Sequence, residues 1–362
     1  MPRALHQFIV YFRDADAVGN QIAAIHRIAE GLGISSCVYY EHFGKHPEAP
    51  SQHYSTCQPQ PGDALLLHYG GATELDEAFR NLAQSHTVSP WVCYHNVTPG
   101  RFFAPFDRGI AVQLEKGRER IRSGFFGNAQ FAAGSHYNAD ELRQLGFVGE
   151  IAALPYVLNP DRLLAQRSTA MVTDRALQLH DRVNWLFVGR MAPNKRQDAL
   201  VRAFAYYHNF INPNSRLILA GSVQGMESYL DYVRAVIDSL TLQDHVVLNC
   251  DPSDLELAAC YVAADVFVCA SEHEGFCVPL IEAMWFDIPI VALRRAAVTE
   301  TLGDSGIGLN SLHPALIAES AHAVLSNDDL RSSVCAAQQL RLKHFASDRT
   351  EPQIIEFLKH LS

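Results

Sequence analysis

The sequence has no surplus of positive charge, no long apolar run and no paired cysteine motif, and each absence excludes a class of protein. Its 29 lysines and arginines stand against 39 aspartates and glutamates, so the formal net charge at pH 7 is -10. This balance argues against DNA or RNA as the main partner. No stretch is long enough to span a bilayer, and the first residues lack the apolar core of a signal peptide. We therefore expect a cytoplasmic protein.

The cysteines form no C-x-x-C pair, although the chain has eight of them, at positions 37, 57, 93, 250, 260, 269, 277 and 335. Several lie inside apolar runs of strand length, which predicts reduced, buried thiols rather than a disulfide framework or a zinc site. No G-x-G-x-x-G sequence follows the expected strands. Its absence disfavours a dinucleotide oxidoreductase.

What the chain does have is an alternation of strand-length apolar runs with longer helical patterns over 362 residues. The length exceeds what one core usually serves, and the alternation is typical of parallel sheets covered by helices. We predict an α/β fold of two Rossmann-like, doubly wound parallel-sheet domains facing across a cleft, residues 1–165 and 166–344, with a terminal helix within 345–362 that can complete the first. The predicted strands are 7–12, 35–42, 64–69, 91–96, 131–135, 150–156, 184–189, 216–221, 245–250, 266–271 and 289–293.

Residues 271–284, SEHEGFCVPLIEAM, indicate an anion site between two carboxylates. Pro279 suits the first turn of a helix, so the amides of residues 276–278 are expected at its N-terminus, where free N–H groups and the helix dipole attract phosphate. Gly275 allows a ligand close to the backbone. Glu274 and Glu282 are repelled by a phosphate and suit sugar hydroxyls instead. The alternative is that Glu274 caps a loop and Glu282 merely suits the helix.

A second anion signal lies in NWLFVGRMAPNKR, residues 184–196. Gly189 ends a predicted strand, and Arg190 and Lys195 follow it, at the edge where open parallel sheets bind ligands. Arginine offers a rigid fork to phosphate oxygens and lysine a mobile point charge. A solvated loop with two ordinary surface cations is the alternative, but the nearby pair of glutamates favours the phosphate site.

These motifs resemble those of the retaining family 4 glycosyltransferases, which have the two-Rossmann GT-B fold. The resemblance rests on VGRMAPNKR (188–196), EGFCVPLIEA (274–283) and DIPIVALRRAAVTETLGDSGI (287–307), and it covers most of residues 184–310. Weaker likeness extends through the first half, in GDALLLHYGG (62–71), VCYHNVTP (92–99) and residues 125–147.

The resemblance implies that Arg190 and Lys195 hold a donor diphosphate, that Glu274 reaches the donor sugar, and that Glu282 reaches the ribose. A histidine at a strand end lines the donor sugar in that family, which implies His95, with His68 at a similar strand end. The implied catalytic groups are Arg190, Lys195, Glu274 and His95, and the implied donor-binding groups are Gly19, Gly189, Arg190, Lys195, Glu274, Gly275, Phe276, Cys277, Val278 and Glu282.

Two positions depart from the family pattern. The loop after the first strand, in which Gly19 is the closest match, has one glycine where many members have a pair. Cys277 replaces a common glycine, and we expect that the thiol fits and that the backbone there needs no positive φ.

The implied function is transfer of a sugar from a nucleotide diphosphate sugar to an acceptor hydroxyl, with retention and without a metal or other cofactor. The expected setting is bacterial surface polysaccharide or glycoconjugate synthesis. The expected partners are a nucleotide-sugar donor and a saccharide or lipid-linked saccharide acceptor, with no nucleic acid. Two alternatives remain open: a nucleotide-sugar epimerase and a non-catalytic nucleotide-binding protein.

The segment 107–126 is a candidate for peripheral contact with the inner face of the membrane. It interleaves Lys116, Arg118, Arg120 and Arg122 with apolar residues, which suits anionic head groups if the acceptor is lipid-linked. A solvated helix face compensated by glutamates explains the same pattern and is the favoured interpretation.

The sequence Asp14-Ala15-Asp16 offers a competing metal motif, in which a divalent cation holds the diphosphate. Aspartates that follow a strand are explained more simply as turn residues or helix N-caps. If Arg190 and Lys195 neutralise the diphosphate, transferase activity survives excess EDTA. Loss of activity that manganese restores would instead support the metal motif.

Overall fold

The structure, a computed structural model, describes residues 1–13, 17–85, 87–171 and 181–361. The Asp14-Ala15-Asp16 motif lies outside the described residues. The chain forms two compact units: the first contains Met1–Leu158 and Phe345–Ser362, and the second Asn159–His344.

The first unit contains a seven-stranded sheet in which every strand pair is parallel, in the order β3-β2-β1-β4-β5-β6-β7. Its strands are β1 (Ala4–Arg13), β2 (Ser35–Lys45), β3 (Ser51–His53), β4 (Ala64–Tyr69), β5 (Ser89–Tyr94), β6 (Gln130–Ala133) and β7 (Ile151–Ala153). Its first helices are α1 (Ala17–Gly31), α2 (Glu74–Ser85), α3 (Arg108–Arg122) and α4 (His136–Gln144). All six residues of β4 are buried, as expected for a strand with both faces covered.

The second unit contains a six-stranded parallel sheet in the order β10-β9-β8-β11-β12-β13. Its strands are β8 (Val183–Val188), β9 (Ser215–Gly221), β10 (Val246–Cys250), β11 (Val266–Cys269), β12 (Ile290–Leu293) and β13 (Ile307–Leu309). Its helices are α5 (Asp161–Leu164), α6 (Arg167–Met171), α7 (Gln197–Phe210), α8 (Glu227–Ser239), α9 (Asp254–Ala263), α10 (Val278–Trp285), α11 (Ala297–Leu302), α12 (Pro314–Ser326) and α13 (Asp328–Leu342).

The last helix, α14 (Ser347–Lys359), belongs to the first unit. It packs on α1 and β7, and its Ile354, Phe357 and Leu358 are buried in the same apolar cluster as Leu5. The ring of Phe357 meets that of Trp91 edge to face at 5.1 Å. The apolar face of α14 therefore completes the core under the first sheet.

The predicted fold class of two doubly wound parallel sheets is confirmed. Each of the eleven predicted strands overlaps an observed one, whereas β3 and β13, three residues each, were not predicted because so short a run shows no periodicity. The predicted boundary after residue 165 moves to Leu158, because α5 and α6 pack on α9 in the second unit.

The interpretation of the basic stripe of α3 as a solvated face is wrong for Arg118 and Arg120. Arg120 is buried and bonds Asp76, and the Arg118 guanidinium donates to Glu141 at 2.8 Å and to the Val97 carbonyl at 2.7 Å. Two of the four cations therefore stabilise the first unit from inside. No helix within the described residues combines the length and the apolar character needed to cross a bilayer.

Gly19 lies in the first turn of α1 rather than in the expected loop. A Cβ at this position would stand 1.9 Å from the carbonyl oxygen of Arg13, at the end of β1. The missing side chain therefore lets the start of the helix pack directly against the strand end, a structural requirement that is separate from any role in ligand binding.

Replacing Gly19 by alanine is therefore expected to lower the free energy of unfolding by about 1–3 kcal/mol, because the backbone must shift to admit the methyl group. Gly31, at the exposed end of the same helix, has no atom within 4 Å of its added Cβ and provides the matched control. The Gly31→Ala protein should be unchanged or more stable by up to about 1 kcal/mol. Urea unfolding compares the two, and equal stability of both variants would contradict the packing.

Candidate functional site

Two loops meet at the carboxyl edge of the second sheet, one after β8 and one after β11. The strand order brings them together, because β8 and β11 are neighbours in the sheet although 77 residues separate Val188 from Val266 in the chain. The strands β9 and β10 lie on one side of β8, and β11, β12 and β13 lie on the other, so the direction of winding reverses here. Such a switch point opens a crevice at the strand ends, where open α/β sheets bind ligands. Arg190 and Lys195 lie on the first loop, and Glu274 lies on the second.

Asn194 and Arg196 fasten the two loops to each other. The buried Asn194 side chain donates to the His273 carbonyl at 2.8 Å, and the Asn194 backbone carbonyl accepts from the Glu272 amide at 2.8 Å. Arg196 reaches the Glu272 carboxylate at 2.5 Å. The position of the loop after β11 is therefore fixed by the loop after β8.

Lys195 and Glu274 form an ion pair inside this junction, with Nζ 2.5 Å from Oε1. The side chains are only 17% and 11% exposed, so each charge depends on the other for compensation. Burial lowers the pKa of Lys195, but the charge of Glu274 outweighs it, and the net pKa of the ammonium lies above its usual value. Lys195 is therefore charged at neutral pH.

Arg190 extends to the protein surface beside two closely packed glycines. Its guanidinium donates to the Gln224 carbonyl at 3.1 Å, and its carbonyl accepts from the buried Gln197 side chain at 3.0 Å. A Cβ on Gly221 would lie 2.2 Å from the Gly189 carbonyl oxygen. The close approach of these two strand ends holds the loop that carries Arg190.

The helix α10 begins as predicted, with Pro279 in its first turn and Cys277 as the residue before it. The Leu280 amide donates to the Cys277 carbonyl at 3.1 Å in the first turn, so the amides of Cys277 and Val278 precede the helical hydrogen bonds. In the part of the chain that the structure describes, neither amide donates to a protein acceptor. These N–H groups and the helix dipole make an anion site.

The expectation that Cys277 needs no positive φ is wrong. Its backbone has φ 74° and ψ 63°, in the left-handed region that glycine tolerates best. The hydroxyl of Thr301 donates to the Phe276 carbonyl and anchors the preceding residue. The turn from the loop into α10 therefore requires this conformation, whichever side chain occupies position 277.

Glu282 lies on α10 and is almost fully buried. The hydroxyl of Tyr261, on α9, donates to its Oε2 at 2.6 Å. Burial raises the pKa of Glu282, and the bond from Tyr261 offsets part of that rise. Tyr261 thus holds the carboxylate in one orientation, although no sequence motif pointed to this residue.

In the first unit, His95 follows β5 and contacts His68 of β4. Its Nε2 lies 2.8 Å from His68 Nδ1, and its Nδ1 lies 2.8 Å from the Tyr156 hydroxyl. Burial lowers the pKa of His95 to about 3, so the imidazole is neutral at physiological pH. The following residue, Asn96, has φ 84° and donates to Glu141 at 2.8 Å, which fixes the turn after His95.

The structure thus places the predicted residues of the second unit around one strand edge, while Gly19 and His95 belong to the first unit. Their binding roles stay predictions. Sequence reasoning missed Asn194, Arg196 and Glu272, which join the two loops, and Tyr261, which bonds Glu282. The Asn194-Lys195-Arg196 run offered a local clue, since its polar residues adjoin the predicted phosphate group, but Tyr261 lies in an ordinary apolar helix and offered none.

Comparison with protein families matches residues 175–338 to the family described as Glycosyl transferases group 1. A curated relative, O-antigen chain mannosyltransferase B of Escherichia coli, is 27% identical over 176 residues, 49% of this chain and 45% of that protein. Mannosylfructose-phosphate synthase of Agrobacterium fabrum is 34% identical over 110 residues, 29% and 24% of the two chains. The matched parts therefore span less than half the length of these relatives.

Among solved structures, the chain is similar in fold to sucrose-phosphate synthase of Thermosynechococcus elongatus, with a TM-score of 0.77, 16% identity and 99% of both chains covered. It is also similar to Anabaena HepE in complex with UDP-glucose, with a TM-score of 0.75, 16% identity and coverage of 99% and 100%. The expected GT-B fold is confirmed by these similarities.

The left-handed backbone at position 277 predicts an unusual order of stabilities. Cys277→Ala and Cys277→Gly both lose the thiol, but only glycine relieves the steric cost of the left-handed backbone. We expect the glycine variant to be more stable than the alanine variant by about 1 kcal/mol. At a position with ordinary φ, glycine would instead be the less stable of the two. Urea midpoints at equal m-values decide between these orders.

Proposed function

We propose that the chain transfers a sugar from a nucleoside diphosphate sugar to an acceptor hydroxyl, a proposal supported by the match of residues 175–338 to the family described as Glycosyl transferases group 1. The observation that carries the proposal is the ion pair of Lys195 with Glu274, which joins the loops after β8 and β11. Arg190 lies on the same loop as Lys195, and α10, which carries Glu282, begins four residues after Glu274. A diphosphate flanked by carbohydrate rings is complementary to this set of charges.

In this proposal, Arg190, Lys195 and the start of α10 hold the diphosphate. Negative charge grows on the diphosphate as the bond to the sugar breaks. The cations and amides therefore stabilise the transition state more than the bound donor, and this difference is what accelerates the reaction. The fixed junction of the two loops supports the proposal, since prearranged charges need no reorganisation during the reaction.

Glu274 and Glu282 supply acceptors for hydroxyl groups on either side of the diphosphate. Glu274 binds the transferred sugar, and Glu282 binds the ribose. Lys195 and Glu274 contact each other directly. Binding of a donor replaces the carboxylate beside Lys195 with a phosphate oxygen, which leaves Glu274 free to accept from the sugar.

The finer parts of the proposal are retention of configuration, transfer without a metal and a role in bacterial surface polysaccharide or glycoconjugate synthesis. Retention fits a reaction in which the departing phosphate oxygen takes the acceptor proton on the same face of the sugar. The acceptor is a saccharide or a lipid-linked saccharide. Any peripheral contact with a membrane would have to do without Arg118 and Arg120, which bond within the first unit. The comparisons do not favour an epimerase or a non-catalytic nucleotide-binding protein.

Replacing Arg190 or Lys195 by alanine should lower kcat by about 100-fold or more, the loss typical of removing one group that stabilises developing charge. The donor is first chosen by thermal-shift screening against UDP-, GDP- and dTDP-sugars, since a ligand that binds the folded state raises the midpoint. Sugar transfer and unfolding midpoints are then measured for each variant.

Arg202→Ala is the matched control, because Arg202 is an exposed cation on α7. It removes the same charge from the same unit and should leave kcat unchanged. Near-normal rates in both the Arg190 and Lys195 variants would reject the mechanism. Conversion of the sugar on the nucleotide with no acceptor present would favour the epimerase.

A further inference from the structure

A chain of four polar side chains crosses the first unit from its interior to His95. The Gln7 Oε1 atom lies 3.1 Å from His68 Nε2, His68 Nδ1 lies 2.8 Å from His95 Nε2, and His95 Nδ1 lies 2.8 Å from the Tyr156 hydroxyl. Gln7 and His68 are almost completely buried, and Tyr156 is 5% exposed. Every ring nitrogen of both histidines therefore has a hydrogen-bond partner.

The direction of each hydrogen bond follows from the inner end of this chain. The Gln7 amide nitrogen donates to the Ile22 carbonyl at 3.3 Å, so the Gln7 oxygen is the atom that faces His68 and can only accept. His68 must therefore carry its hydrogen on Nε2, which leaves Nδ1 as an acceptor in the neutral ring. His95 then donates from Nε2 and accepts at Nδ1 from the Tyr156 hydroxyl. A single pair of tautomers satisfies all three contacts.

Burial keeps both rings in this neutral form. It lowers the pKa of His68 well below the usual value, and His95 lowers it further. A proton added to His68 Nδ1 would place two N–H groups against each other at the His68–His95 contact. A proton added to His95 Nδ1 would displace the hydrogen that the Tyr156 hydroxyl donates there, so the hydroxyl would have to turn and accept instead. The pattern in which Tyr156 donates to His95 therefore requires both imidazoles to be neutral.

A shared metal ion is the competing explanation, since His68 Nδ1, Cys93 Sγ and His95 Nε2 all lie within 4.8 Å of one another. Two imidazole nitrogens bound to one zinc at about 2.0–2.1 Å in tetrahedral geometry would stand about 3.3 Å apart. The observed 2.8 Å is shorter and is a normal hydrogen-bond distance. The geometry favours direct contact between the rings.

We propose that His68 and Tyr156 are positioning residues that hold His95 as a neutral imidazole with its hydrogen on Nε2, so that the ring orients a ligand at the end of β5 without moving a proton. Both nitrogens of His95 are engaged within the first unit, so the ring offers a fixed edge to a ligand. The Tyr156 ring packs against the backbone of Gly134, where an added Cβ would stand 2.6 Å from the ring. The missing side chain of Gly134 therefore allows Tyr156 to take this position. The catalytic consequence rests on the proposed function, whereas the tautomer does not.

Two substitutions at His68 separate the hydrogen bond from the presence of a ring. His68→Asn places a carbonyl oxygen near the position of Nδ1 and keeps an acceptor for His95. His68→Gln places its amide near the position of Nε2 and loses that acceptor. Tyr156→Phe removes the donor at the other side of His95. Protein labelled with ¹⁵N-histidine then reports by NMR which ring nitrogen carries hydrogen, with His95→Gln used to assign the signals.

The expected spectrum shows hydrogen on Nε2 of both rings, unchanged between about pH 5 and 8. His68→Gln and Tyr156→Phe should alter the His95 signals and lower kcat for transfer about tenfold, the loss of one hydrogen bond of about 1.4 kcal/mol. His68→Asn should recover part of both effects. The dissociation constants of UDP and GDP should stay within about threefold, because the residues proposed to hold the diphosphate lie in the second unit.

Several results would overturn the inference. These are a charged His95 at neutral pH, hydrogen on Nδ1 of His95, or a His68→Gln protein with the wild-type spectrum. Zinc or copper bound one to one in the purified protein, and lost in Cys93→Ser, would replace the hydrogen bond by a metal site. If no donor supports transfer, the proposed function fails, but the spectra still decide the tautomer.

Discussion

The ion pair between Lys195 and Glu274 is the contact on which the candidate site of the second unit depends. Burial lowers the pKa of Lys195, and the charge of Glu274 raises it above the usual value, so the carboxylate compensates the cost of burying the ammonium. That carboxylate comes from a loop 79 residues away in the chain, and the two Asn194 hydrogen bonds hold that loop in place. The pair therefore keeps a charged lysine at the strand edge, and it joins the two loops that carry the predicted site residues.

Two polar clusters, one in each unit, are held by different kinds of contact. In the second unit, the opposite charges of Lys195 and Glu274 neutralise each other. In the first unit, His68 and His95 are neutral and their hydrogen bonds are directional, so the network has one arrangement. Glu282 combines features of both clusters: the Tyr261 hydroxyl donates a directional hydrogen bond to it, and burial raises the pKa of its carboxyl group.

Much of the fold and the outline of the site could be predicted from local patterns. Strand-length apolar runs located eleven strands, and Pro279 located the start of α10, because both signals depend on backbone preferences within a few residues. Arg190, Lys195 and Glu274 were found for a similar reason: each follows closely after a strand end, and parallel sheets bind ligands there. The basic stripe of α3 misled because helical periodicity does not say what lies opposite each face. Arg120 meets Asp76, which is on another helix.

The sequence by itself determined the class of fold, the strand ends and the residue types at them, since apolar periodicity and turn chemistry act over short distances. Only the tertiary structure decided which side chains meet: Lys195 with Glu274, Tyr261 with Glu282, and Tyr156 with His95. It also decided that α14 returns to the first unit and that Cys277 adopts a left-handed backbone. The physical reason is that these outcomes depend on strand order and on packing between distant segments. No local pattern of residues specifies either one.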